Sequence, residues 1–251
     1  MTGQILLVTK LKGGAGATTT VRELAAAAAG ARLRVGLIDL DSQGGITRWW
    51  NRRNTANAQP DLPAVVNPEL LQIGVGDVAS KADALRRAYD LVLIDSPPTV
   101  HDAIRQVAAI ADLAVIPTRP TTDDLDAVGP IVRLLRGAVD QGFVLTQIPA
   151  GGRSRDAAEA AELLARLAPV FGRMSFRLDY PRSAAAGSTG FEAGGMAKDE
   201  VAALWATIAE RLGMTGSGHD AIASSQQDVK TASGDAVLAL SRDRLTTAGR
   251  R

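Results

Sequence analysis

The chain has 251 residues, 46% of them hydrophobic and 22% charged, the balance of a packed globular protein. It contains no cysteine, which excludes disulfides, thiolate metal centres and a cysteine nucleophile. Its two histidines, His101 and His219, stand too far apart in sequence to make a His-rich metal site by themselves. A formal net charge of +1 neither demands nor forbids a nucleic-acid partner, so any DNA binding must come from local arginines.

No stretch approaches the ~18 apolar residues that a spanning helix needs. The first ten residues show no charged leader followed by a long apolar run. The expectation is a cytoplasmic protein with no integral membrane contact.

Short apolar, β-branched runs alternate with longer helical patterns, the signature of βαβ units and a parallel sheet. In chain order the strands are expected at 4–9, 34–39, 91–95, 113–117 and 143–147, with weaker candidates at 64–66 and 174–178. Helices are expected at 18–29, 46–53, 77–88, 102–111, 123–139, 155–167 and 198–212. The strands read as continuous apolar runs rather than alternating ones, as when both sheet faces are covered. The fold class is α/β: a doubly wound, mostly parallel sheet flanked by helices. Residues 54–63, polar with two prolines, are expected as a surface loop. From Gly213 the composition turns to Gly, Ser, Asp, Gln and Thr, too little apolar surface to offset ordering entropy. The expected division is a nucleotide-binding domain over 1–212 and a disordered polar tail over 213–251.

The strongest signal is Lys12-Gly13-Gly14-Ala15-Gly16-Ala17-Thr18-Thr19, directly after an apolar strand and opening a helix. Glycines at such a junction let backbone N–H groups turn inward around phosphate oxygens, and the succeeding helix adds its positive N-terminal end. Thr18 stands where a P-loop hydroxyl ligates Mg2+. Further along, Asp39-Leu40-Asp41-Ser42-Gln43-Gly44 closes a second strand, and Asp95-Ser96-Pro97-Pro98 closes another. Carboxylates in those places lie at the ligand-binding edge of a parallel sheet.

This set resembles the deviant Walker A P-loop ATPases of the ParA/MinD family, whose loop reads Lys-Gly-Gly-x-Gly-Lys-Thr-Thr. It is closest in look to small plasmid-partition ParA proteins and similar also to the T-DNA-transfer ATPase of the Vir system. The resemblance covers residues 4–212 and implies ATP/ADP and Mg2+ as cofactors. It assigns the nucleotide to Lys12, Gly13, Gly14, Ala15, Gly16, Ala17, Thr18 and Thr19. The metal falls to Thr18, Asp41 and Asp95, and catalysis to Asp41, which positions the attacking water, and Lys12, which reaches across a dimer interface. More loosely, Thr146-Gln147-Ile148-Pro149 and Tyr180-Pro181-Arg182 match stretches that border the base, making Gln147, Pro149 and Pro181 candidates. The implied partners are a second copy of the chain around ATP, non-specific DNA, and a ParB-like or other cargo adaptor. Nucleoid association is implied if DNA binding holds.

One position departs from the family pattern. Ala17 stands where the second lysine contacts the β/γ-phosphates, and losing a hydrogen bond to a charged group forfeits ~1.5–3 kcal/mol. Outside the tail the lysines are Lys10, Lys12, Lys81 and Lys198, so Lys10 or Lys12, or an arginine, is left to lean in. The chain therefore reads as a weakened or lost ATPase, with two rivals. One is a nucleotide-binding regulator that does not hydrolyse. The other is a MinD-like membrane-surface switch, for which residues 236–245 supply a weak amphipathic pattern.

Three lesser features take bland readings. Asp123 and Asp124, at the start of the expected 123–139 helix, are taken as caps suited to the helix dipole. Of Trp49 and Trp50, flanked by Arg48, Arg52 and Arg53, one is expected in the core and one partly exposed. Arg133, Arg136, Arg153, Arg155, Arg173, Arg177 and Arg182 are further candidates for phosphate contacts, most of them explained as solvated helix faces.

Overall fold

A computed structural model of the protein describes residues 2–10, 12–57, 68–97, 101–149 and 155–214. The chain divides into two units, Met1–Gly213 and Met214–Arg251. The expected tail, the strand at 64–66, Pro98 and Gly151-Gly152-Arg153 lie outside the described residues.

The elements run β1 (Gln4–Val8), α1 (Ala17–Gly30), β2 (Val35–Asp39), α2 (Gly45–Asn57), β3 (Glu69–Leu70) and α3 (Val75–Ala88). They continue with β4 (Leu91–Asp95), α4 (His101–Ala108), β5 (Leu113–Thr118), α5 (Thr122–Leu135), β6 (Gln141–Ile148) and α6 (Arg155–Ala165). The chain then forms β7 (Val170–Ser175), α7 (Asp179–Ala185), α8 (Gly190–Ala193) and α9 (Gly195–Arg211). The sheet has seven strands in the order β3-β2-β4-β1-β5-β6-β7, and every pairing is parallel. This is the α/β, doubly wound P-loop fold expected from the sequence.

The topology positions the site. After β1 the chain builds outward through β2 and β3, returns to insert β4 between β2 and β1, and then builds β5, β6 and β7 on the other side. All strands run the same way, so the loops after β1, β2 and β4 share one sheet edge at the point where the winding changes side. Ile5, Leu6, Leu7 and Val8 are each fully buried, so both faces of β1 are covered. On one of those faces the alanines of α1 are themselves buried.

Several boundaries differ from expectation for local reasons. The expected helix 123–139 stops at Leu135, because Gly137 takes a left-handed φ of 77°. Helix α2 runs on through Asn57, so Asn54–Asn57 is helix rather than loop. The last strand is Val170–Ser175, not 174–178. Phe171 and Met174 point inward, and the Phe171 ring lies where a side chain at Gly142 would stand, whereas Phe176 and Leu178 are exposed. Helix α8 was not foreseen, although its signal is present: Thr189 and Glu192 form a capping box. Strand β3, two residues long, carries no pattern to read.

Candidate functional site

The loop between β1 and α1 is held from outside. Thr146 Oγ1 donates to the Ala15 carbonyl at 2.8 Å, and Gln147 Nε2 donates to the Gly14 carbonyl at 2.6 Å. In a trans peptide the N–H points opposite to its carbonyl, so the Ala15 and Gly16 N–H groups are turned away from β6. Among the described residues, the N–H groups of Gly13, Gly14, Ala15 and Gly16 donate to no backbone carbonyl. Gly14 and Gly16 have φ near +85°, which glycine adopts without strain, and no atom lies within 4 Å of where a Gly13 side chain would begin. Converging free N–H groups at a helix N-terminus fit an anion such as a phosphate.

Beside this cradle sits a buried polar cluster. Thr18, in the first turn of α1, donates its hydroxyl to Asp95 Oδ2 at 2.7 Å. Asp95 ends β4 and is fully buried. Lys10, two residues past β1, is also buried, with its ammonium 3.3 Å from Asp95 Oδ1 and 3.1 Å from Asp41 Oδ2. The other Asp41 oxygen accepts the Gln43 N–H at 2.9 Å. Asp39 takes a different task, accepting the N–H and hydroxyl of Thr47 and so anchoring the start of α2. Gly45 comes so close to the Thr18 side chain that a Cβ there would sit 2.8 Å from Cγ2.

Burial pushes the Asp95 carboxyl up to about 6. The Lys10 ammonium and the Thr18 hydroxyl pull it back, and the Asp39 charge adds to the rise. The Thr18 hydroxyl and the Asp95 and Asp41 carboxylates are hard oxygen donors, and they fit Mg2+, which takes few protein ligands and keeps several waters.

The other expected residues divide. Ala17 is buried and Thr19 lines a cleft of about 190 Å3 with Gly16, Gln147, Phe176, Arg177 and Pro181. Gln147 holds a left-handed φ of 53°, a conformation uncommon for a residue with a side chain. Pro149 does not join them. It lines a larger groove of about 960 Å3 with Arg155, Arg173 and Met196, to which no residue of 12–19 contributes. That groove is the larger, but the smaller cleft is the one that Gly16 and Thr19 line. Lys12 is half exposed, its ammonium 3.5 Å from Asp123 and 3.9 Å from Asp124.

One reading is corrected. Asp124 is not a helix cap: it is buried and pairs bidentately with Arg119, through Nε and, at 3.0 Å, Nη2. The Arg119 guanidinium bonded to it holds the Asp124 carboxyl below the usual range. Arg53, beside the tryptophan pair, is fully buried. Trp49 is buried with its indole N–H on the Ser188 carbonyl, and Trp50 is half-buried, as expected of such a pair.

Sequence reasoning missed Arg119, whose guanidinium lies 3.9 Å from where a Gly14 side chain would begin. It named Lys10 without seeing its partners. A lysine immediately beyond an apolar strand, on the edge where two other strands end in aspartate, was the available signal.

Known proteins share this organisation. The family described as VirC1 protein matches residues 3–209. A maintenance of carboxysome distribution protein A from Gloeobacter kilaueensis is 40% identical over 125 residues, 49% of this chain and 52% of that protein. The chain thus spans about half of that relative's length. Protein virC1 of Rhizobium rhizogenes is 28% identical over 184 residues, 69% of this chain and 77% of that protein. In fold, an ATP complex of a McdA variant from Cyanothece superposes with a TM-score of 0.67 at 18% identity, covering 85% of this chain and 98% of that one. The chain belongs to the VirC1 family, within the ParA/MinD type of P-loop ATPases.

Proposed function

We propose that the protein is a nucleotide-driven positioning switch. It binds ATP with Mg2+ in the loop between β1 and α1 and pairs with a second copy around the nucleotide. In that state it binds DNA without sequence preference and engages its cargo through a ParB-like or other adaptor. The observation that carries this reading is the outward anchoring of the Gly14 and Ala15 carbonyls by Gln147 and Thr146, which frees the loop's N–H groups for phosphate.

Each residue has a task in this reading. The N–H groups of residues 13–19 bind the phosphates, and the cleft at Thr19, Gln147 and Pro181 takes the base. Thr18 and Asp95, with Asp41 beside them, would hold Mg2+, whose chemistry is to neutralise charge developing on the phosphate oxygens. Asp41 would orient the attacking water once its contact with Lys10 is given up. Lys12, half exposed, is free to reach a partner's nucleotide.

Turnover in this reading is slow, because Ala17 removes one charge that stabilises phosphoryl transfer. A second reading, a nucleotide-binding regulator without hydrolysis, is favoured by the pairing of Asp41 with Lys10.

The test is calorimetry with Mg2+-ATP and Mg2+-ADP, together with phosphate release and light scattering. The switch reading requires ATP binding, ATP-dependent dimers and measurable release. ATP binding with dimers but no release selects the regulator. Absence of binding sinks both.

A further inference from the structure

A lysine buried among aspartates is a common structural device, but this one lies among the candidate metal and catalytic groups. Its ammonium stands between Asp41 and Asp95, at 3.1 and 3.3 Å, while Thr18 contacts the other Asp95 oxygen. Without Lys10, an incoming triphosphate would face the carboxylates of Asp41, Asp95 and nearby Asp39 with no cation beside them. At Ala17 the loop offers a methyl group where a lysine would have offered an ammonium.

The neighbouring cations face a different pair of carboxylates. Lys12 faces Asp123 and Asp124, and Arg119 is bonded at two nitrogens to Asp124. Lys10 has capacity left. An ammonium carries three N–H donors, and among the described residues two carboxylates are its only charged partners. Its four-carbon stem lets the head move over a short range without moving the backbone.

We propose that Lys10 is the resident cation of the phosphate site. It supplies from the carboxylate side the charge that Ala17 leaves out, so that a triphosphate binds with little dependence on Mg2+. The proposal rests on the nucleotide-site reading and adds to it the residue that makes the altered loop workable.

The test is calorimetric titration of the full chain with ATP, once in Mg2+ and once in EDTA. It is run on the unaltered protein, Lys10→Met, Ala17→Lys and the double variant. The unaltered protein should lose less than about 10-fold in ATP affinity when EDTA replaces Mg2+. Lys10→Met should lose about 10–150-fold in EDTA relative to the unaltered protein, the range for one charged hydrogen bond. Ala17→Lys should restore EDTA binding to Lys10→Met and should gain more there than in the unaltered background. Equal gains in both backgrounds, or Lys10→Met binding ATP in EDTA as the unaltered protein does, would overturn the proposal.

If Lys10→Met fails to fold, as judged by its melting curve, the unaltered protein still decides. A loss above about 10-fold on Mg2+ removal overturns the role, since a resident cation worth one charged hydrogen bond must offset at least that much. A protein that binds ATP in neither condition refutes the nucleotide-site reading instead, and so separates the two failures.

Discussion

Arg53 and Glu192, 139 positions apart, form an ion pair between a fully buried guanidinium and a partly exposed carboxylate, and it fastens α2 to α8. Arg53 Nη1 donates to Glu192 Oε2 at 2.9 Å and to the Gly187 carbonyl at 3.1 Å, and Nη2 donates to Glu192 Oε1. The guanidinium lies 5.2 Å from the centre of the Trp49 ring. Glu192 in turn accepts from the Ser188 and Thr189 hydroxyls and the Thr189 N–H.

This arrangement predicts a large stability loss on Glu192→Ala. Removing one partner leaves a fully buried guanidinium uncompensated, which costs about 3–5 kcal/mol. Urea unfolding measures it. A loss under about 1 kcal/mol, the size of an exposed pair, would show that the interior here admits water.

Glu200 predicts a pH dependence. Burial raises its carboxyl pKa, but hydrogen bonds from Arg177 and from the Ser175 hydroxyl and N–H outweigh that and leave it lowered. A carboxylate with a depressed folded pKa contributes stability that is present above its unfolded value, about 4.3, and is lost as pH falls below it. Glu200→Gln should therefore be less stable than the unaltered protein at pH 7, by about 1.5–3 kcal/mol. The gap should close as pH falls below about 4.3. Urea titrations at a series of pH values track the gap, and a gap that stays constant counts against the account.

Lys12 predicts a defect in association rather than in folding. Its side chain is 48% exposed and its contacts to Asp123 and Asp124 are 3.5 and 3.9 Å long. Exposed pairs of this kind contribute about 0–1 kcal/mol. Lys12→Ala should melt like the unaltered protein yet lose dimerisation with a slowly hydrolysed ATP analogue. Light scattering reads the outcome, and dimers formed at the unaltered nucleotide concentration would remove Lys12 from the interface.

DNA binding, proposed from the family's habit, should be sequence-independent and steep in salt. Net charge is near zero, so contacts fall to exposed arginines such as Arg48, Arg133, Arg136, Arg173 and Arg182, each releasing counterions from phosphate. Titration of random duplexes across salt concentrations measures the slope. A flat response, or strong preference for one sequence, contradicts the idea.

The order of motifs was legible in the sequence because each is local. A glycine-rich turn after a continuous apolar run can be read without knowing its neighbours, and so can an aspartate at the end of such a run. That made the parallel sheet recognisable, marked the glycine-rich loop, Thr18, Asp41 and Asp95 as candidates, and made the alanine at 17 conspicuous. The 4–9, 34–39 and 91–95 runs fall on β1, β2 and β4 within a residue.

Only the tertiary structure decided which distant charges meet. Lys10 finds Asp95 because β4 is inserted between β2 and β1, an 85-residue separation that no spacing rule encodes. Nothing local to α2 showed that Arg53 would be buried against Glu192 of α8, and Asp124 looked like a cap until Arg119 claimed both its oxygens. Pro149 and Pro181 read alike in sequence, but Pro181 lines the cleft beside Gly16 and Thr19 whereas Pro149 lines the adjoining groove. Hydrophobic periodicity reports burial along one element. The pairing of charges depends on the packing of several, and is settled when the sheet order is.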